Sequence, residues 1–192
     1  NRGVDIDQIN LSGASYISWF TGQAANEIIG TDGVDFTLGG DGSWYTTFLN
    51  GGGATTDYGS IAKMDFGSGA PVKIHSFQSG SLGETSIAKL TPGLLSNELY
   101  GIATGTNDLL YKVTTSGAYT ILKEFNVDLE GRSIKSQLVL ANNKLYGIAE
   151  DKGEFNAGTI WSFDLGTQTF AVESQLGYEN GKSPFAAITE HP

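Results

Sequence analysis

"NNKLYGIAEDKGEFNAGTIWSF", residues 142–163, reads as a strand-like run, a loop broken by Gly and Asn, and a second strand-like run. Residues 97–113, "NELYGIATGTNDLLYKV", say nearly the same thing earlier in the chain. The shared Leu-Tyr-Gly-Ile-Ala run starts at Leu99 and again at Leu145, an offset of 46 (99 to 145). A looser copy, Trp44-Tyr45-Thr46-Thr47-Phe48, starts 55 residues before the first (44 to 99). Three further markers recur in the same order. "SIAKM" (60–64), "LLYKV" (109–113) and "TIWSF" (159–163) come second, and "IHSF" (74–77), "LKEF" (122–125) and "VESQ" (172–175) third. The fourth is a glycine followed seven residues later by Leu or Ile: Gly83/Leu90, Gly131/Leu138 and Gly181/Ile188. Four markers in one order, three times over, make a tandem repeat, which decides the fold before any local reading does.

Each marker reads as a strand. "TIWSF" and "LLYKV" are rich in β-branched and aromatic residues, which suit a pleated, half-buried surface. The breaks carry Gly, Asn and Asp, which reach turn conformations that other residues resist. No window of a dozen residues holds a helical stripe, so little or no helix is expected; residues 23–29 fit that expectation least well. Each unit is then four short strands in about 46–50 residues, the size of a propeller blade. One such sheet cannot cover its own apolar face, so sheets stack to collect roughly 1.5–3 kcal/mol per buried Leu, Ile or Phe.

The expected fold is all-β: tandem four-stranded antiparallel repeats, β-propeller-like. Repeats span 44–90, 99–138 and 145–188 within one domain, and residues 1–43 form degenerate strands of a partial blade. Within that segment, residues 13–20 and 30–38 read as degenerate second and fourth strands. Three whole units and a partial one leave closure open. A closed monomer, an open stack, closure by another copy of the chain, and a β-trefoil are the alternatives. Residues 4–11 and 16–20 are expected to add as strands to a neighbouring sheet, beside 183–189 or in another copy, since exposed edges invite pairing.

The succession Leu-Tyr-Gly, Gly-Thr-Ile-x-x-Phe, an Ile-His-Ser-Phe-like strand and Gly-x-Ser-Pro resembles the GloVer tandem repeat of bacterial choice-of-anchor secreted or surface proteins. The best-matching copy is 145–188, including "NGKSPFAAI", and the resemblance covers about 44–188. His75 in "KIHSF" stands where that repeat often has histidine. The resemblance implies a propeller-like fold outside the cytoplasm and implies no catalytic residues. Two departures stand out. The first two copies lack the Ser-Pro pair, and the second has Asp108-Leu109 in place of Gly-Thr.

Composition agrees with an extracellular or cell-surface β protein. The chain has 192 residues, 39% of them hydrophobic, and 27 glycines, enough for one core and many turns. With no cysteine there is neither a disulfide framework nor thiolate chemistry. No apolar run approaches the length of a transmembrane helix. The chain starts at Asn1 rather than Met, which fits removal of a leader or a fragment's numbering. A net charge of −10 opposes nucleic-acid phosphates, which call for clustered Lys and Arg. Surface acid of this kind keeps a secreted protein soluble.

Candidate chemistry is sparse. His75 and His191 are the only histidines. His75 aligns with Lys123 and Glu173, a varying polar position that reads as solvent-facing, and zinc lacks ligands. No catalytic residue is assigned. Paired carboxylates are the remaining catalytic option, since a glycosidase needs two. Asp57, Asp108, Glu150, Asp151 and Glu154 fall in the loop after the first strand of successive repeats, hence on one rim. That rim is also the place for Ca²⁺, which takes six to eight oxygen ligands. Aromatic faces pack on sugars, so Trp44 and Tyr45 join Asp57, Asp108, Glu150 and Asp151 as candidate ligand-binding residues, whereas Tyr100 and Tyr146, inside the repeat signature, suit packing between sheets. Two functions follow. The first is a non-enzymatic module binding other protein chains or copies of itself. The alternative is a lectin or glycan-active enzyme using the acidic, aromatic rim.

Overall fold

In the computed structural model, which describes residues 7–9, 16–18, 31–50, 58–64, 71–78, 85–86, 88–184 and 188–189, the repeats become sheets. Strands β1 (Asp7–Ile9) and β2 (Tyr16–Ser18) pair with each other in a two-stranded sheet of their own. Among the described residues they pair with each other and not with a strand of the larger sheets, which corrects the expectation of addition within the chain beside 183–189. Their register is Asp7↔Ser18, Gln8↔Ile17, Ile9↔Tyr16.

The first large sheet runs β3 (Thr31–Leu38), β4 (Trp44–Asn50), β5 (Ser60–Met64), β6 (Val72–Ser76), all antiparallel. The second carries β7 (Thr85–Ser86) and β8 (Thr91–Pro92) end to end along one edge of β9 (Glu98–Thr104), then β10 (Leu109–Thr114) and β11 (Tyr119–Glu124). One helical turn, α1 (Val127–Glu130), follows, its Asn126 cap accepting from the Asp128 N–H. The third sheet runs β12 (Val139–Ala141), β13 (Lys144–Ala149), β14 (Thr159–Asp164), β15 (Thr169–Gln175). The fold is thus all-β and β-propeller-like, built of four-stranded antiparallel units.

The sheets are out of phase with the sequence repeat by one strand. The fourth marker, ending at Leu90 and Leu138, does not close its own sheet. It leads into β8 and β12, the first strands of the next sheet. Likewise β3 begins the first sheet rather than ending a partial one, so the first sheet already has four strands. Residues 23–29 lie outside the described residues.

Side chains alternate across a strand, and the middle sheet shows what the alternation is for. Leu99, Ala103, Leu109, Tyr111 and Val113 face the first sheet and meet Tyr45, Ile61 and Phe77. Tyr100, Ile102 and Leu110, from the same strands, face the third sheet and meet Leu145, Ala149, Trp161 and Phe163. Phe125 stands edge-on to Trp161, with ring centres 5.0 Å apart.

The glycine of the Leu-Tyr-Gly signature has a mechanical cause. Gly101 pairs across the sheet with Tyr111, and Gly147 with Trp161. A Cβ on either glycine would overlap the opposite ring, which lies flat across the bare backbone. In the first sheet the equivalent pair is Thr46 and Ala62. With no ring to lay down, no glycine is needed, which is why the first copy of the signature looks loose.

Hydrogen bonds stitch each sheet to the next. Thr37 Oγ1 donates to the Leu90 carbonyl (2.7 Å), and Thr91 Oγ1 donates to the Leu138 carbonyl (2.9 Å). Val139 holds the corresponding place in the third sheet, by its pairing with Tyr146 where Thr91 pairs with Tyr100. Thr91→Val should cost about 1 kcal/mol of stability, the net value of one such bond, as read from chemical denaturation; an unchanged midpoint would show the stitch to be idle. At the outer edges, His75 stacks on Tyr119 at 4.2 Å, and Lys123 sits over Phe170 at 4.9 Å. The solvent-facing reading of His75 is therefore corrected. The side chain at this position reaches across to an aromatic ring on the outer strand of the next sheet, and burial lowers the imidazole pKa of His75.

Candidate functional site

The acidic rim predicted from sequence is largely a set of fasteners. Asp108 is only 2% exposed, and its Oδ2 accepts the Ile134 N–H at 3.1 Å. Burial pushes its carboxyl pKa up, against the pull of backbone N–H groups and Arg132. Asp151 accepts from Ser133 Oγ at 3.3 Å and exchanges backbone bonds with Arg132. Glu150 pairs with Lys135 at 3.1 Å. Three of the six candidate residues thus come together on one segment, 132–135, the link between the second and third sheets. Among the described residues no group of three or more His, Asp or Glu side chains is placed to hold a metal ion. Asp57 lies outside the described residues.

The two aromatic candidates part ways. Trp44 is 39% exposed at the start of β4. Tyr45, its neighbour, points to the opposite face, is fully buried between the first two sheets, and donates its hydroxyl to Asp41 Oδ2 at 2.8 Å. Burial raises the Asp41 pKa, but the Tyr45 hydroxyl, the Ser43 N–H and Lys63 outweigh it and hold the carboxyl below its ordinary value. Tyr100 is buried as expected of a packing residue, whereas Tyr146 is half-buried.

Among the described residues a groove lies at the opposite rim, and turn length makes it. The turn between β3 and β4 has five residues, 39–43, and so does the turn between β8 and β9, 93–97. They touch: a Cβ on Gly40 would stand 2.8 Å from Ser96 Cα. The turn between β12 and β13 has only Asn142 and Asn143, with φ of 50° and 63°, the left-handed pair of a tight hairpin. It is three residues shorter and leaves a gap. The result is a groove of about 250 Å³ between the second and third sheets.

Leu94 and Leu95, 58% and 59% exposed, flank its mouth. Leu122, Phe163 and Leu165 supply apolar walls. At the polar end, Glu98 accepts the Tyr100 hydroxyl at 3.2 Å and Lys112 Nζ at 3.0 Å. Burial, then the Glu98 charge, pushes the Tyr100 pKa up to about 12. Both Glu98 oxygens are engaged and the tyrosine keeps its proton at physiological pH. The groove offers surface for binding rather than an acid and a base for proton transfer. Reading the sequence missed these residues. The signal was the Asn-Asn pair, set against the five-residue turns before it.

No protein-family model matches the chain, and no curated protein is significantly similar to it in sequence. Among solved structures it is similar to the crystal structure of TolB from Acinetobacter baumannii, a protein with a β-propeller domain. The match has a TM-score of 0.54 over 86% of this chain, at 16% identity, and spans 36% of that one. At that identity the likeness concerns the fold alone. Among the described residues no helix is long and apolar enough to cross a membrane.

Proposed function

We propose that this chain is a non-enzymatic β-repeat module that binds other polypeptide chains; its resemblance to GloVer-type repeats implies that it belongs to a secreted or cell-surface protein. The groove beside Leu94 and Leu95 carries the reading: exposed apolar side chains gathered at a concavity mark interaction sites. Most of the candidate carboxylates support it too, since Asp108, Glu150 and Asp151 are already bonded within the fold.

The rival lectin or glycosidase reading rests on Trp44. Incubation with a panel of polysaccharides should release no reducing ends above a heat-denatured control, and a glycan array should show no retention. Turnover of any polysaccharide, or glycan retention lost on Trp44→Ala, would replace the protein-binding reading.

A further inference from the structure

We infer that the groove between the second and third sheets receives an extended segment of another polypeptide through one aliphatic side chain, with the segment's main chain held by the amides of Asn143 and Gln168. The inference rests on the protein-binding reading and names the occupant of its site. Four observations select that occupant.

The first is size. Pockets for small molecules run to roughly 300–1,000 Å³. A groove of about 250 Å³ lies below that range and suits a side chain or two. The second is wall chemistry. Leu94, Leu95, Leu122, Phe163 and Leu165 present aliphatic and aromatic carbon, which favours a hydrocarbon side chain over a polar one. The third is charge. Glu98 and Lys112 neutralise each other at 3.0 Å, so the groove attracts neither a cation nor an anion strongly.

The fourth is the pair of amides. Asn143 and Gln168 sit at the tips of the β12–β13 and β14–β15 turns, with φ of 63° and 57°. Neither side chain is engaged in a hydrogen bond with another described residue, and both border the groove. A primary amide both donates and accepts, as a peptide main chain does. The tight turns fix the backbone from which these side chains project, which removes part of the ordering cost of binding.

The test uses the whole chain, labelled with nitrogen-15, and follows the side-chain NH₂ signals of Asn143 and Gln168. The probes are acetyl-Gly-Gly-Leu-Gly-Gly-amide and its versions with Ala, Lys or Glu at the centre. The Leu peptide should shift both signals saturably and bind at least about tenfold tighter than the Ala peptide, given the methylenes it buries. The Lys and Glu peptides should bind no better than Ala. The double change Leu94→Asp with Leu95→Asp should remove the preference for Leu while leaving the rest of the spectrum in place. Asn143→Gly keeps a turn-compatible residue; it should weaken all four peptides by a similar factor, up to about tenfold, and keep their order. No saturable shift at the two amides up to the solubility limit would overturn the inference, as would equal binding of the Leu and Glu peptides. Saturable shifts confined to the opposite rim, at Leu129, Phe155 and Tyr178, would also overturn it while leaving the protein-binding reading standing.

Discussion

Replacing Gly147 by threonine is expected to lower the free energy of unfolding by roughly 3 kcal/mol or more, because a new Cβ must displace a fully buried indole. Gly147 faces Trp161 directly across β13 and β14, and the overlap falls on the ring itself, with no flexible tip to swing aside. Trp161→Ala removes the obstruction but opens a cavity against Phe125 and Phe170, and should cost about 3–5 kcal/mol alone. The protein itself supplies the informative third variant. Thr46 opposite Ala62 is what the first sheet already uses at this place. Gly147→Thr combined with Trp161→Ala should therefore be less destabilised than the sum of the two changes by roughly 1–3 kcal/mol, the range for contacting residues in a double-mutant cycle. Chemical denaturation of the four proteins measures this. Strict additivity would mean that the ring and the bare backbone do not depend on each other.

Asp108→Leu is the second large effect, expected at about 2–3 kcal/mol. The substitution leaves the Ile134 N–H buried without an acceptor, and an orphaned donor costs about 1–3 kcal/mol before any change of shape is counted. Asp108→Asn keeps an acceptor oxygen and should cost less than about 1 kcal/mol at neutral pH. The two variants also separate by pH. Burial raises the folded pKa of Asp108 above its ordinary value of 3.8. Between the unfolded and folded values the native state holds more protons than the unfolded chain, so the contribution of this group falls as pH rises through that window. Wild type should therefore lose stability relative to Asp108→Asn on going from about pH 4 upward to neutrality. An Asn variant as damaging as the Leu variant would remove the hydrogen-bond explanation; a pH-independent difference would remove the burial explanation.

The repeat and the strands at its first three markers were legible because apolar alternation and turn residues act locally. Which sheet a strand joins was not, because pairing is a tertiary choice. The segment ending at Leu138 looks like the close of its own unit and opens the next sheet instead. In the second copy, two departures that looked unrelated in sequence turn out to be one. The second copy has Asp108 and Ile134, a carboxylate and an N–H that bond. The third has Gly158 and Pro184 at the corresponding places, with neither acceptor side chain nor donor. Phe125 and Leu176 confirm the alignment, each donating its N–H to the carbonyl of Asp108 or Gly158 at 3.0 Å. Acidic loop residues looked available for ligands because sequence does not show what folds back over them. Segment 132–135 does so, and only the three-dimensional path of the connection reveals it. The groove escaped notice for the converse reason. It is built from a difference in length between turns rather than from any unusual residue.

The one-strand offset has an evolutionary consequence. A duplicated stretch of gene corresponding to one sequence unit does not encode a freestanding sheet. It encodes three strands of one and the opening of the next, so every added copy is born interlocked with its neighbour. Recombination at the unit boundaries keeps each Thr stitch with its partner carbonyl's segment in the adjoining copy, and lengthening the array needs no new docking surface to be invented.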